Sequence, residues 1–408
     1  MNTTRQIKFL LSFTLFSFIY PIGVQVNEVL FSTVELCMFF SILLASYRIQ
    51  INSSVLSFFK SKTFKFYSAF FLGILASSLL NGTFNSSESV ISFIRHLEAY
   101  IFFCCISLNL EKSSIGPEIV VKYLKRAAIL GSIYTILTYL LLNDLNETQK
   151  IGGLLGGGYG LITSTGILIF GNELLKKYNH SKALWFTVCL IGTLLTLSRT
   201  WLFAPMLSFL ILYLITNKVK ILALFKITLG LVLVAITLYT LQTNSIGAKI
   251  TGIDRIYEIS ESIIGQQSKH STIDSRLLKW YRAYQNFLSS PFSGVGLNKI
   301  DLGLPSWIDR LGNKRSDSQF MDTLASNGVI GFVPLLTLLL FMLKTSFKRI
   351  FNHAYYSNIY FLMIVSWIVA SMFWATLEGF NIILFAIHII LFNYISNGPI
   401  NFSKSNIQ

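Results

Sequence analysis

Residues 183–216 form one nearly unbroken apolar stretch, ALWFTVCLIGTLLTLSRTWLFAPMLSFLILYLIT, which is interrupted only around Ser198, Arg199 and Thr200. As a single helix these 34 residues would reach about 51 Å, well beyond a hydrocarbon core of about 30 Å. Lysines, which favour the cytoplasmic side of a membrane, flank the stretch at both ends: Lys176, Lys177, Lys182, Lys218 and Lys220. The chain is therefore predicted to cross twice, with Arg199 at the outer tip of a helical hairpin.

The composition of the whole chain indicates a polytopic membrane protein. Of its 408 residues 53% are hydrophobic and 12% are charged, and its mean hydropathy of +0.61 is too high for a soluble domain. The formal net charge of +15 would suit nucleic acid, but a Lys and Arg excess in a membrane protein normally faces anionic lipid. The expected partner is therefore the lipid bilayer, and no nucleic acid is expected.

The sequence carries no pattern typical of a cofactor or metal site. Its four cysteines all lie within apolar runs, without ligand spacing. The Gly-rich segment 152–160 lacks the Lys and Ser/Thr ending of a nucleotide-binding loop. We therefore expect neither a metal nor a cofactor, and a reaction here would draw its energy from an activated substrate delivered in the membrane.

Taking about 20 apolar residues as the length of a helical span, the sequence contains twelve candidate spans. The predicted fold class is an all-α polytopic integral membrane protein with one large helical extracytoplasmic loop. The candidate spans lie near residues 7–24, 29–47, 64–80, 90–110, 124–142, 158–175, 183–198, 200–216, 221–242, 324–343, 358–374 and 379–396. Residues 1–242 would hold nine spans, residues 243–320 the loop, and residues 321–408 three spans and a tail.

The distribution of basic residues predicts the orientation of the chain. Of the 33 Lys and Arg residues, 20 fall on the predicted inner segments, three on short outer loops and ten within residues 243–320. This asymmetry predicts that both termini lie in the cytoplasm and that the long loop is extracytoplasmic. Residues 1–8 resemble the start of a signal peptide, but no cleavage site precedes Asn27, so we expect a retained first span.

Residues 274–288 of the loop have helical spacing. Leu277, Trp280 or Tyr281, Tyr284 and Leu288 would share an apolar face at the depth of the lipid headgroups. Such a helix would present three cations to phosphates, namely Arg276, Lys279 and Arg282. The alternative is a simple lid anchored by its aromatic residues, with the basic residues solvated or bound to lipid.

Three further polar positions each allow two interpretations. Asp317 follows Ser316, which has capping-box spacing to Gln319, so Asp317 either caps the tenth span or acts as base or substrate anchor. Arg199 either grips a phosphate with two nitrogens or extends to the membrane interface. Arg95 is three residues from Glu98, so the two charges either neutralise each other or leave Arg95 as a minor ligand.

The order of the hairpin, the loop helix and the glycine motifs resembles that in the O-antigen polymerase and O-antigen ligase superfamily of bacterial envelope proteins. The matching residues are Leu195 to Thr200, then Arg276, Trp280, Ala283, Phe287, Pro291 and Gly294 to Gly296, then Asp317, Ser318, Gly328 and Gly331. Ligases of this superfamily characteristically place a histidine, usually followed by asparagine, eleven residues before the first closing glycine. Here those positions hold Asp317 and Ser318, which favours a polymerase.

The resemblance implies a GT-C-like membrane glycosyltransferase that uses undecaprenyl-diphosphate-linked oligosaccharide in polysaccharide and lipopolysaccharide biosynthesis. A polymerase transfers the growing glycan to a lipid-linked repeat unit, and a chain-length regulator is a further partner that this role admits. The alternatives are ligation to the lipid A core, or a flippase for the same lipid. Under this resemblance the hypothesis takes Asp317, Arg199 and Arg276 as catalytic groups, with Arg199 and Arg276 holding the diphosphate and Arg282 or Arg315 assisting. Arg95 is kept from the residue pattern alone, as a minor diphosphate ligand.

Overall fold

The architecture is a bundle of long helices. A computed structural model describes residues 23–26, 29–32, 39, 42–43, 53–111, 117–141, 158–196, 199–216, 272–300, 316–350, 355–373, 376–377 and 381–397. The helices in chain order are α1 Ser53–Lys60, α2 Lys62–Leu80, α3 Ser87–Glu111, α4 Pro117–Leu141, α5 Gly158–Lys176, α6 His180–Leu195, α7 Arg199–Thr216, α8 Thr272–Ser289, α9 Gln319–Ile350, α10 Tyr355–Phe373 and α11 Asn381–Asn397, with a 3-10 turn at Thr83–Asn85.

The long helices agree with a multi-pass membrane protein. Nine of the predicted spans overlap α2 to α7 and α9 to α11. By length and composition, four of the described helices can cross a membrane, namely α2, α3, α9 and α10, and shorter apolar helices include α6 and α7. The candidate at 221–242 lies outside the described residues, as do most of the first two candidates, so the number twelve stays a prediction.

A β-hairpin corrects the prediction near the start of the chain. Strand β1, Gly23–Val26, pairs antiparallel with strand β2, Val29–Ser32. The predicted helices at 7–24 and 29–47 overlap these strands only at residues 23–24 and 29–32, so the helical prediction is wrong for those residues, while residues 39 and 42–43 are helical. The strands are short and rich in valine, and a short apolar run does not by itself distinguish a strand from a helix.

The break that was predicted within residues 183–216 is present. Helix α6 ends at Leu195, Thr196 caps it, and α7 begins at Arg199. Small residues let α6 approach its neighbours closely: Gly192 lies against Ser132 of α4, and the Thr193 hydroxyl donates to Thr163 of α5 at 2.8 Å. The apolar stretch therefore folds as two helices, as the length argument required.

Helix α9 is broken at Gly328. This residue has φ 58° and ψ −160°, inside a helix of 32 residues. Residues 329–350, after the break, measure about 33 Å as a helix, which matches the hydrocarbon core. Residues 319–327, before the break, form a separate polar segment, and we call them the first segment of α9.

Helix α2 packs closely against α9 beside this break. A Cβ on Gly73 would strike the backbone of Ile330 and lie 3.1 Å from Cα of Gly331. Such contact between backbones is typical of small residues in membrane helix pairs. The first segment of α9 is thereby held at the end of the bundle where α2 ends and α3 begins, which we call the loop end.

Candidate functional site at the loop end

Residues 291–296 form a turn that docks into the break in α9, and we call it the docked turn. At the break, α9 loses the hydrogen bonds that Val329 and Ile330 would donate within the helix. Each lost bond leaves one N–H group and one carbonyl, and four bonds with the docked turn pair all of these backbone groups. The bonds run from Val295 N to Ala325 O (2.9 Å), Gly296 N to Ser326 O (2.8 Å), Val329 N to Pro291 O (3.0 Å) and Ile330 N to Phe292 O (3.2 Å).

Glycine is required on both sides of this contact. Gly294 has φ 69° and Gly328 has φ 58°, in the left-handed region that disfavours side chains. A Cβ on Gly328 would strike the carbonyl oxygen of Phe292, and a Cβ on Gly294 would strike the backbone of Ser326. The two glycine motifs of the sequence are therefore two halves of one interlocking structure.

Side chains from α2 and the loop fasten the docked turn to the bundle. The Ser77 hydroxyl lies 2.6 Å from Ser293 O and 3.1 Å from Ser326 O, and Asn81 Nδ2 donates to Ser293 O at 3.1 Å. Lys299 Nζ donates to the carbonyls of Asn81 (2.7 Å) and Gly82 (2.9 Å). A lysine at this position also suits the dipole at the end of α2.

Helix α8 presents one face to α9 and another to the outside. Ala283 is fully buried in a small cluster with Ile300 and Ala325. The opposite face is a stripe of exposed apolar side chains, Leu277, Tyr281, Tyr284 and Leu288. This stripe is the predicted apolar face, with Tyr281 rather than Trp280 as its second member.

An ion pair joins α8 to the chain just before α9. Lys279 Nζ lies 2.8 Å from Asp317 Oδ2. Lys279 is 8% exposed, whereas the Asp317 side chain is 32% exposed. The sequence analysis expected Lys279 to face phosphates together with Arg276 and Arg282, and in the structure its ammonium contacts the Asp317 carboxylate. Lys279 lies one turn before Ala283, on the inner face of the helix.

The predicted capping role of Asp317 is not observed. Asp317 has φ 61° and its carboxylate contacts Lys279 instead of the start of α9. Asp322, which sequence reasoning missed, accepts a hydrogen bond from Ser316 N at 2.7 Å. Gln319 does not close a capping box, because its Oε1 accepts from Leu377 N at 2.6 Å and its Nε2 donates to Thr323. The Asp317 carboxylate therefore lies beside the first segment of α9, about one-third exposed and held by Lys279.

The arginines that were predicted to bind diphosphate differ in position and in exposure. Arg276 is half-buried and precedes Lys279 by one turn, so their Cβ atoms are about 5–6 Å apart. Arg282 is exposed on α8. Arg95 is half-buried in α3, six residues or about 9 Å along the helix from Ser89, whose hydroxyl binds the loop at Leu297 O. Arg276 and Arg282 both lie three residues from Lys279 on α8, and of the two Arg276 is the one that is half-buried beside the ion pair.

Two predicted arginines fall wholly or partly outside the described residues. Arg315 lies outside them, and so does the side chain of Arg199, which is the first residue of α7. Helix α7 packs against α10, and α10 packs against α9. The fully buried Trp201 lies against Gly160 at the start of α5, where a Cβ would strike the indole ring. The proximity of Arg199 to Asp317 therefore stays a prediction.

The fold and this site define a multi-pass membrane protein with a docked loop and a polar site at one end of its helices. The family model described as O-antigen ligase matches residues 184–336, which run from α6 through α8 and the docked turn into α9. This match confirms the resemblance to the O-antigen ligase and polymerase superfamily, whose members are membrane glycosyltransferase-like enzymes. No curated protein matches the chain.

Proposed function

We propose that the protein is a glycan polymerase of the bacterial envelope. It transfers a growing glycan from undecaprenyl diphosphate to a lipid-linked repeat unit on the periplasmic face of the inner membrane. The observation that carries this proposal is the ion pair of Lys279 and Asp317 at the loop end, with the half-buried Arg276 one turn before Lys279 on α8. The family match over the same part of the chain supports it.

The proposed reaction needs one proton acceptor and cationic groups for the leaving diphosphate. A hydroxyl oxygen of the acceptor sugar attacks the anomeric carbon of the donor glycan, and a new glycosidic bond forms. The bond from that carbon to the phosphate oxygen breaks, and undecaprenyl diphosphate leaves with the bonding electrons. Asp317 takes the hydroxyl proton, while Arg276 and Arg199 bind the phosphates as negative charge develops.

The polymerase is preferred to a ligase because of the residue at 317. Ligases of this superfamily characteristically have histidine at the position of residue 317. This chain has Asp317, whose carboxylate is held by Lys279. A flippase is disfavoured because its charges are expected along a central cavity within the spans. In the part of the chain that the structure describes, the ion pair of Lys279 and Asp317 lies instead between the loop helix α8 and the start of α9.

The surface glycan of a deletion strain tests the polymerase assignment. A polymerase deletion is expected to leave caps of a single repeat unit on the cell surface. Accumulation of long polymer that is not attached to its acceptor would indicate a ligase and contradict the proposal. The measurement is the size distribution of the glycan by gel electrophoresis, before and after the gene is restored.

Arg199→Ala is expected to abolish long glycan chains while the protein stays at normal abundance in the membrane. The guanidinium would make a bidentate contact with the leaving diphosphate. Its loss is expected to lower the transfer rate about 100-fold or more. The measurement is the glycan ladder at matched expression. Arg126→Ala, at an exposed arginine within α4, is the matched control and is expected to keep the ladder. An unchanged ladder in Arg199→Ala would remove Arg199 from the mechanism.

A further inference from the structure

We propose that Lys279 changes partner when the donor binds. In the empty site Lys279 holds the Asp317 carboxylate, and in the donor complex its ammonium turns to the diphosphate. Asp317 is thereby released as proton acceptor only when a donor is in place. This inference rests on the proposed function, since it assigns a donor diphosphate to the same site.

The geometry of the pair allows such an exchange. Lys279 is largely covered, whereas Asp317 is about one-third exposed, so the carboxylate is the more accessible group of the pair. An ammonium has three donor hydrogens on a flexible four-carbon stem, which lets it turn to a new acceptor nearby. Arg276 lies one turn before Lys279 on α8, so a diphosphate bound by Arg276 is within reach of the Lys279 stem.

The charges favour the exchange once a diphosphate has entered. A diphosphate ester carries more negative charge than one carboxylate, and charge-assisted hydrogen bonds are strongest between oppositely charged groups. Of the two loop lysines that the structure describes, Lys279 is the one that can make this move. The other described loop lysine, Lys299, is held by the carbonyls of Asn81 and Gly82 at the end of α2.

The consequence is an order of events in the site. While Lys279 is bound to Oδ2 of Asp317, that oxygen is occupied and is not free to accept a hydrogen bond from a sugar hydroxyl. Donor binding removes that engagement and completes the catalytic group. A site built in this way binds the donor before it activates the acceptor.

The test uses the full-length protein in lipid nanodiscs and farnesyl diphosphate, a short isoprenoid diphosphate without sugar, as the probe. Lys279→Gln is expected to weaken binding about tenfold, because one charged ligand of the diphosphate is lost. Asp317→Asn is expected to tighten binding about tenfold, because Lys279 no longer has to leave a carboxylate. The double variant is expected to bind as weakly as Lys279→Gln alone.

A purely structural ion pair gives a different result. Both single variants would then bind the probe with unchanged affinity or both would bind it less well, and either result overturns the partner exchange. Lys279→Arg is expected to restore most of the affinity that Lys279→Gln loses. Lys177→Gln, at an exposed lysine just after α5, is the matched control and is expected to bind as the wild type does.

The probe separates this inference from the proposed function. Since farnesyl diphosphate carries no glycan, the affinities are measured whether or not the wild type polymerises a repeat unit. Opposite shifts in the two variants, together with a wild type that forms no polymer, would contradict the polymerase assignment alone. Polymer formation by the wild type, with equal affinities in all variants, would contradict the partner exchange alone.

Discussion

Replacing Asp317 with Asn is expected to lower the rate of glycan extension by about 10³-fold, the scale of a lost general base. Asn is nearly isosteric with Asp but takes up no proton at neutral pH, so the acceptor hydroxyl would keep its hydrogen during the attack. The side chain can still accept a hydrogen bond from Lys279, so the contact between α8 and the start of α9 is expected to survive. The measurement is the initial rate of bond formation by purified protein with a lipid-linked repeat unit.

Two controls make the Asp317 result interpretable. The melting temperature of the variant in nanodiscs should stay close to that of the wild type, which separates a chemical from a structural defect. Asp317→Glu, which restores a carboxylate, is expected to recover part of the rate. A rate for Asp317→Asn within about threefold of the wild type, far below a general-base effect, would remove Asp317 from the proton transfer.

Gly328→Ala is expected to destabilise the protein by about 3 kcal/mol or more and to abolish activity with it. The new Cβ would sit in a left-handed conformation and strike the carbonyl oxygen of Phe292. Either the break in α9 or the docked turn must then move, and the four hydrogen bonds between them are lost. The measurements are the melting temperature and the amount of protein in the membrane.

A matched glycine separates this local effect from a general intolerance of alanine. Gly131 lies inside α4, where a Cβ would meet Ile162 at 3.4 Å, an ordinary contact distance. Gly131→Ala is therefore expected to change stability little. If Gly328→Ala and Gly131→Ala melted at the same temperature as the wild type, the interlock at the break in α9 would not hold the loop end together.

The helices of the bundle were predictable because hydrophobic length is a strong local signal. The break before Arg199 followed from the length of the apolar stretch and the lysines at its two ends. The hairpin of β1 and β2 was missed because its strands are four residues each, and apolar runs that short fit either structure. The exposed face of α8 followed from the spacing of Leu277, Tyr281, Tyr284 and Leu288.

The site itself was predictable only in part, since its contacts join distant residues. Lys279 was expected to face phosphates together with Arg276 and Arg282, although its spacing from Ala283 places both residues on the buried side of α8, and this signal was available. The capping box failed because the partner of Gln319 is Leu377, 58 residues further along the chain. The two glycine motifs could be recognised in the sequence. Their structural role, which is the exchange of backbone hydrogen bonds at Gly328, could be recognised only from the fold.

The most direct test gives the purified protein, in nanodiscs, a single kind of lipid-linked repeat unit as its only sugar substrate. The account predicts a ladder of longer lipid-linked glycans, with one undecaprenyl diphosphate released for each new bond. Formation of no glycosidic bond, or of a bond only after lipid A core is added, would contradict it.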